Sequence, residues 1–155
     1  MRKRFALNPH TLNNVVDVSD SDLLDITAYA KYNVNYRYIL SVIDIISKYL
    51  NLIPIKTKSR PSVASAFRSI FDDPKYSTSR RPIWVRTDKG KEFLNKHFQD
   101  MLRHEGGDIQ FHVYRKPDLK YAVVERVYRT IRDKLYKYFT YKNSYRYIDV
   151  MPKFV

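Results

Sequence analysis

A chain of 155 residues with 44% hydrophobic and 15% aromatic residues suits one domain with its own core and is too apolar for disorder throughout. Its 29 lysines and arginines against 16 acidic residues leave a net charge of +13, which favours a polyanionic partner, nucleic acid before anionic membrane. The absence of cysteine excludes disulfides, thiolate zinc sites and a cysteine nucleophile, three glycines argue against a Gly-rich phosphate loop, and no apolar run approaches the roughly 18 residues of a membrane span.

Residues 1–20 read as a poorly specified lead-in, with turn chemistry at Asn8-Pro9 and Asn13-Asn14. An extended stretch from about Asp22 to Tyr29 follows. The Tyr-, Ile- and Val-rich run Tyr36 to Ile46 is apolar on both alternating faces and predicts a central strand. Leu52-Ile53-Pro54-Ile55 predicts a third strand, at an edge because Pro54 cannot donate to a ladder. Apolar residues at 63, 66, 67, 70 and 71 predict a helix over Pro61 to Phe71. After a polar loop from Asp72 to Arg81, Pro82 to Asp88 predicts a short strand ending in a carboxylate. Phe93 to His104 has helical spacing and is closed by Gly106-Gly107. Ile109 to Val113 predicts another strand, and the four-residue recurrence 119, 123, 127, 131, 135, 139 predicts a long amphipathic helix. The order βββαβαβα implies an α/β domain, a mixed sheet flanked by helices.

Acidic residues are scarce, so their positions carry information. Asp25 falls in the first strand, Asp88 ends a later strand, and Glu125 lies one or two turns into the last helix. Such carboxylates can converge on hard cations, and a pair of ions can stabilise both the attacking and the leaving oxygen of a phosphoryl transfer. Asp22, three residues before Asp25, points to the opposite strand face and is the alternative if the register differs. Asp44, in the central strand, reads as a structural carboxylate. His97 and His104 lack a ligand cluster and do not read as a zinc site.

The segments Asp25-Ile26-Thr27, Tyr38 to Tyr49 with Ser47-Lys48-Tyr49 at its end, Thr87-Asp88-Lys89-Gly90-Lys91-Glu92-Phe93 and Val124-Glu125-Arg126 resemble the retroviral integrase core superfamily. The closest resemblance is to integrases of Maverick/Polinton-type DNA transposons, over about Asp22 to the C-terminus. The resemblance implies an RNase H-like fold with a mixed five-stranded sheet, a catalytic core over 21–140 and a truncated C-terminal extension over 141–155. It also implies that Asp25, Asp88 and Glu125 hold two Mg²⁺ or Mn²⁺ ions. The implied activity is 3′-end processing and strand transfer of transposon DNA, in the nucleus and by a homo-oligomer on DNA. Asp88 and Glu125 are 37 positions apart, one more than the common retroviral spacing. Position 128 is Tyr where the resembled group has Asn after Glu-Arg-Phe, and the Trp expected before the first Asp is absent.

The basic C-terminal third supplies the DNA-facing groups. On a helical wheel Tyr121, Glu125, Tyr128, Arg129, Arg132 and Tyr136 fall within about 100° of one another. That face mixes cations and rings beside the candidate ligand, which suits phosphate contact and stacking on an unpaired base. Lys89, Lys91, Lys116, Lys120 and Arg126 flank the candidate ligands as phosphate contacts. The rival readings are a catalytically inactive, transposon-derived DNA-binding remnant, an RNase H-type nuclease acting on hybrids and, more weakly, a basic module for anionic membranes.

Overall fold

The computed structural model describes residues 18–45, 47–73, 82, 84–87, 90–105, 109–113 and 121–154. Strands β1 (Val18–Asp25), β2 (Tyr38–Asp44) and β3 (Leu50–Ile55) precede helix α1 (Arg60–Asp72). Strand β4 (Trp84–Thr87), helix α2 (Lys96–His104), strand β5 (Gln110–Val113) and helix α3 (Tyr121–Lys142) follow. The sheet order is β3-β2-β1-β4-β5. The β1–β2 and β2–β3 pairs are antiparallel, and the β1–β4 and β4–β5 pairs are parallel. This is the expected mixed five-stranded sheet flanked by helices, with Pro54 on an edge strand. Among the described residues no helix is long and apolar enough to cross a membrane.

Local chemistry sets the helix ends. The Ser59 hydroxyl caps α1 by accepting from the Ser62 amide, and Pro61 sits in the first turn. Asn95 caps α2: its side-chain oxygen accepts from the Phe98 N–H at 3.0 Å. Helix α2 therefore starts three residues later than the spacing predicts, and Phe93 is buried in the preceding turn instead. Asn143 adopts φ 48° just past α3, the left-handed conformation that closes a helix and that Asn tolerates.

The first strand departs most from expectation. It runs Val18–Asp25, and Thr27–Tyr32 forms a 3-10 helix rather than continuing the strand. Ser19, Asp20 and Ser21 are buried in this strand, the middle one of the sheet. Asp20 is satisfied there by Arg86 of β4. The 3-10 helix is tied down by Asn33, which is fully buried. Its amide donates to the Tyr29 and Tyr145 carbonyls, both at 2.9 Å, and its carbonyl accepts from the Tyr147 and Ile148 amides at 2.7 and 3.2 Å.

Side chains alternate across each strand, so two cores form. On one face Leu40, Val42 and Val85 pack with Val63, Phe67 and Ile70 of α1 and Phe98 and Leu102 of α2. On the other, Leu24, Ile26 and Ile39 pack with Ile131, Leu135 and Phe139 of α3 and with Tyr147 and Met151 beyond it.

Candidate active site

Strand β1 presents opposite parities to the two helical layers. Leu23 packs with the α1 and α2 core and Leu24 with the α3 core. Even-numbered side chains of β1 therefore face α3. Asp22 is one of them, and it lines a cleft of about 440 Å³ with Leu24, Tyr128, Arg129 and Arg132. The Asp22 carboxylate also accepts from the Leu23 amide at 2.7 Å. Opposite it on β2 stands Ser41, whose hydroxyl is hydrogen-bonded to the Tyr128 hydroxyl and lies 3.5 Å from the Asp22 carbonyl. The Tyr128 phenol thus pins α3 to the strand beside Asp22. Arg129 and Arg132 are exposed, so the cleft pairs one carboxylate with two guanidinium groups able to meet phosphate oxygens.

Two residues deeper on the same face, Asp20 and Arg86 form an ion pair with N···O distances of 2.6 and 3.2 Å. Both are shielded: their side chains are 2% and 14% exposed. This pair fixes the β1–β4 register, in which Asp20 is level with Arg86.

Asp25 is placed elsewhere. It ends β1, exposed, and odd parity puts it on the α1 face. Its carboxylate accepts from the Thr27 amide at 2.9 Å. Hydrogen bonds from Thr27, with a smaller contribution from the Lys58 charge, hold it below the usual carboxylate range. The structure thus brings Asp22, and not Asp25, together with Tyr128, Arg129 and Arg132.

No protein-family model matches the chain. A curated relative, an uncharacterised transposon-derived protein of Caenorhabditis elegans, is 33% identical over 127 residues, which are 82% of this chain and 42% of that protein. The chain therefore spans about two fifths of the length of the curated relative it matches. The HTLV-2 integrase catalytic core domain in complex with magnesium, in its trimeric form, superposes with a TM-score of 0.59 at 19% identity, covering 80% of this chain and 72% of that one. A chain of the simian T-cell lymphotropic virus intasome, solved in complex with the PP2A regulatory subunit B56 gamma, gives 0.62 at 18% identity, over 80% and 41%. The catalytic core of BIV integrase gives 0.58 at 16% identity, over 79% and 70%. The fold is that of a retroviral integrase catalytic core.

Within this integrase-core fold the remaining predicted residues scatter. Asp88, Lys89, Lys116 and Lys120 lie outside the described residues. Glu125 belongs to α3, one turn before Tyr128 and Arg129, and its side chain lies outside the described set. Arg126 is exposed but lines a different groove, with Tyr49, Thr130 and Lys134. Lys91 is exposed beside Lys58, Arg60 and His97, at the start of α1. Asp44 ends β2 and accepts from the Ser47 hydroxyl at 2.7 Å in the β2–β3 turn.

Among the described residues no group of three or more His, Cys, Asp or Glu side chains could hold a metal ion. Asp22 is the one candidate ligand of this cleft whose side chain is described, and its carboxylate oxygens are the hard donors that Mg²⁺ and Mn²⁺ take. Asp20 was missed from sequence. Its signal was a charged residue at strand parity with Asp22, but its partner lies 66 positions away.

Proposed function

We propose that the chain is the catalytic core of a DNA-integrating polynucleotidyl transferase of transposon origin, in which Asp22, Asp88 and Glu125 hold two divalent ions. The observation that carries this reading is Asp22 in one cleft with Arg129 and Arg132 of the helix that bears Glu125. The β1–β4 register supports it: Asp20 is level with Arg86, and two steps further along each chain stand Asp22 and Asp88. In this reading Asp22 replaces Asp25, whose carboxylate serves the Thr27 turn on the other face.

Bound Mg²⁺ or Mn²⁺ supplies Lewis acidity for phosphodiester chemistry. The chain's own residues do the rest. Arg129 and Arg132 neutralise and orient the scissile phosphate. Tyr128, held by Ser41, fixes the helix turn that follows Glu125. A water oxygen attacks phosphorus in 3′-end processing, and the P–O bond to the leaving 3′-oxygen breaks. In strand transfer the freed 3′-hydroxyl attacks a target phosphate in the same way. This reading puts the chain on element ends and target DNA in the nucleus, as more than one copy. The neighbours crystallised in dimeric and trimeric forms support the last point, and the worm relative and the Maverick/Polinton resemblance support the transposon origin.

Disintegration of a branched DNA with Mn²⁺, the reverse of strand transfer, tests this. Wild type and Asp25→Asn should give product, while Asp22→Asn, Asp88→Asn and Glu125→Gln should each lose it and stay folded. Product from Asp22→Asn but not Asp25→Asn would return the first ligand to Asp25. No product from a folded, DNA-binding wild type would replace the enzyme with a non-catalytic remnant.

A further inference from the structure

Beyond the carboxylate cleft, α3 leads to a cluster of rings. Arg129, Arg132 and Tyr136 follow one another at i, i+3 and i+7, a single helix face, and Tyr136 stands about 6 Å further along the axis than Arg132. Tyr136 meets Phe139 with centroids 6.4 Å apart. Phe139 meets Tyr29 at 4.9 Å and Tyr145 at 5.6 Å. Tyr145 also stacks on Tyr29 at 5.3 Å and touches Tyr32 at 5.2 Å. The rings come from three separated segments, and Asn33 bonds two of them together.

The cluster is not a closed core. Tyr32 is 40% exposed, Tyr136 49% and Tyr145 47%. The Lys31 ammonium lies 4.9 Å from the Tyr32 ring centre. Exposed ring area of this size with cations on either side suits a ligand that offers both π-faces and negative charge. A single nucleic-acid strand has that chemistry, because every base has a face and every link a phosphate. A duplex hides its base faces and would use only the cations.

We propose that Tyr32, Tyr136 and Tyr145 form a stacking platform for unpaired nucleotides of the strand that leaves the Asp22 cleft across Arg129 and Arg132. The platform rests on the functional reading above and adds a preference for single-stranded or branched DNA. It needs no metal, so it can be measured apart from catalysis.

The test uses the whole chain in EDTA at one fixed salt concentration, since phosphate contacts alone depend on salt. Fluorescence anisotropy compares a thymidine strand of about 12 nucleotides, within the range of known single-strand sites, with an abasic strand of equal length and charge. Wild type should bind the base-bearing strand at least about 5-fold tighter. Tyr136→Ala and Tyr32→Ala should each cut that advantage, and Tyr136→Phe should keep it, because stacking needs the ring and not the hydroxyl. Tyr141→Ala, 81% exposed and outside the ring network, should change nothing. Circular dichroism reports whether each variant is folded, and Tyr136→Leu, which keeps apolar bulk without a ring, serves if an alanine variant is not. Equal affinity for both strands in wild type would overturn the proposal. So would an advantage that survives both alanine changes, or self-association through Tyr136 without a base preference. Disintegration by a chain lacking the advantage would sink the platform alone. The advantage in a chain without disintegration would sink the catalytic reading alone.

Discussion

On the α1 and α2 face, Phe98 meets Phe67, Phe93 and Phe111 edge to face, with centroids 5.3 to 5.4 Å apart. On the α3 face, the same central strand offers Asp20 and Asp22, and the neighbouring strand offers Ser41 to Tyr128. One side of the sheet is a dry core, and its stabilisation comes from removing rings from water and fitting them closely. The other side begins as a charged strip and becomes apolar only further along α3, at Ile131, Leu135 and Phe139. A buried ion pair adds little net stability over apolar residues of similar volume. The strip therefore trades stability for a fixed arrangement of charge, which suits the phosphate-handling role proposed for it.

The contrast can be broken from either side. Phe98→Ala should cost the most, about 3–5 kcal/mol in urea unfolding, with an unchanged salt slope of DNA binding in the folded fraction. A cost near zero would mean that face is not the stabilising one. Arg86→Met should also cost about 3–5 kcal/mol, because it takes the guanidinium away from a buried carboxylate, while Arg86→Met with Asp20→Leu should regain most of it. Failure of the double change to recover would show that the pair fixes β1 in some way other than charge compensation. Tyr128→Phe should lose about 0.5–1.5 kcal/mol. A double-mutant cycle with Ser41→Ala should show that the two hydroxyls share one interaction, and additive losses would remove the clamp.

Asp25→Asn is the smallest change. Asp25 is exposed, so solvent screening holds its contribution below about 1 kcal/mol. Its folded value lies below the unfolded one of 3.8. The stabilisation is therefore present above that value and disappears as acidification carries the pH down through the lower folded value. Wild type and Asp25→Asn should differ slightly at neutral pH and converge in acid. A difference that grows in acid would contradict the Thr27 and Lys58 contacts.

Much of this was legible from residue order. The apolar run of β2, Pro54 at an edge, the i, i+3, i+4 spacing of Val63 to Phe71 and the four-residue recurrence along α3 each declare an element through local chemistry. The start of β1 was not legible, because Ser19, Asp20 and Ser21 look like loop residues until Arg86 arrives from β4. The same gap hid the choice between Asp22 and Asp25. Strand parity says that they oppose each other, but only the packing of α3 on Leu24 says which one faces the helix. Thr27 to Tyr29 reads as the end of a strand and not as the start of the 3-10 helix, because Asn33, which holds that helix, draws partners from residues 145–148.

Asn33 also bears on the order of folding. Its bonds to Tyr145, Tyr147 and Ile148 span 112 to 115 positions, so nearly the whole described chain must close into a loop before they form. Contacts of such separation add little to a transition state built from nearer ones. Asn33→Leu should then accelerate unfolding several-fold while leaving the refolding rate nearly unchanged, as stopped-flow chevrons would show. The tyrosines gathered around it would be the last part of the molecule to assemble, and their amides among the first to exchange with solvent deuterium.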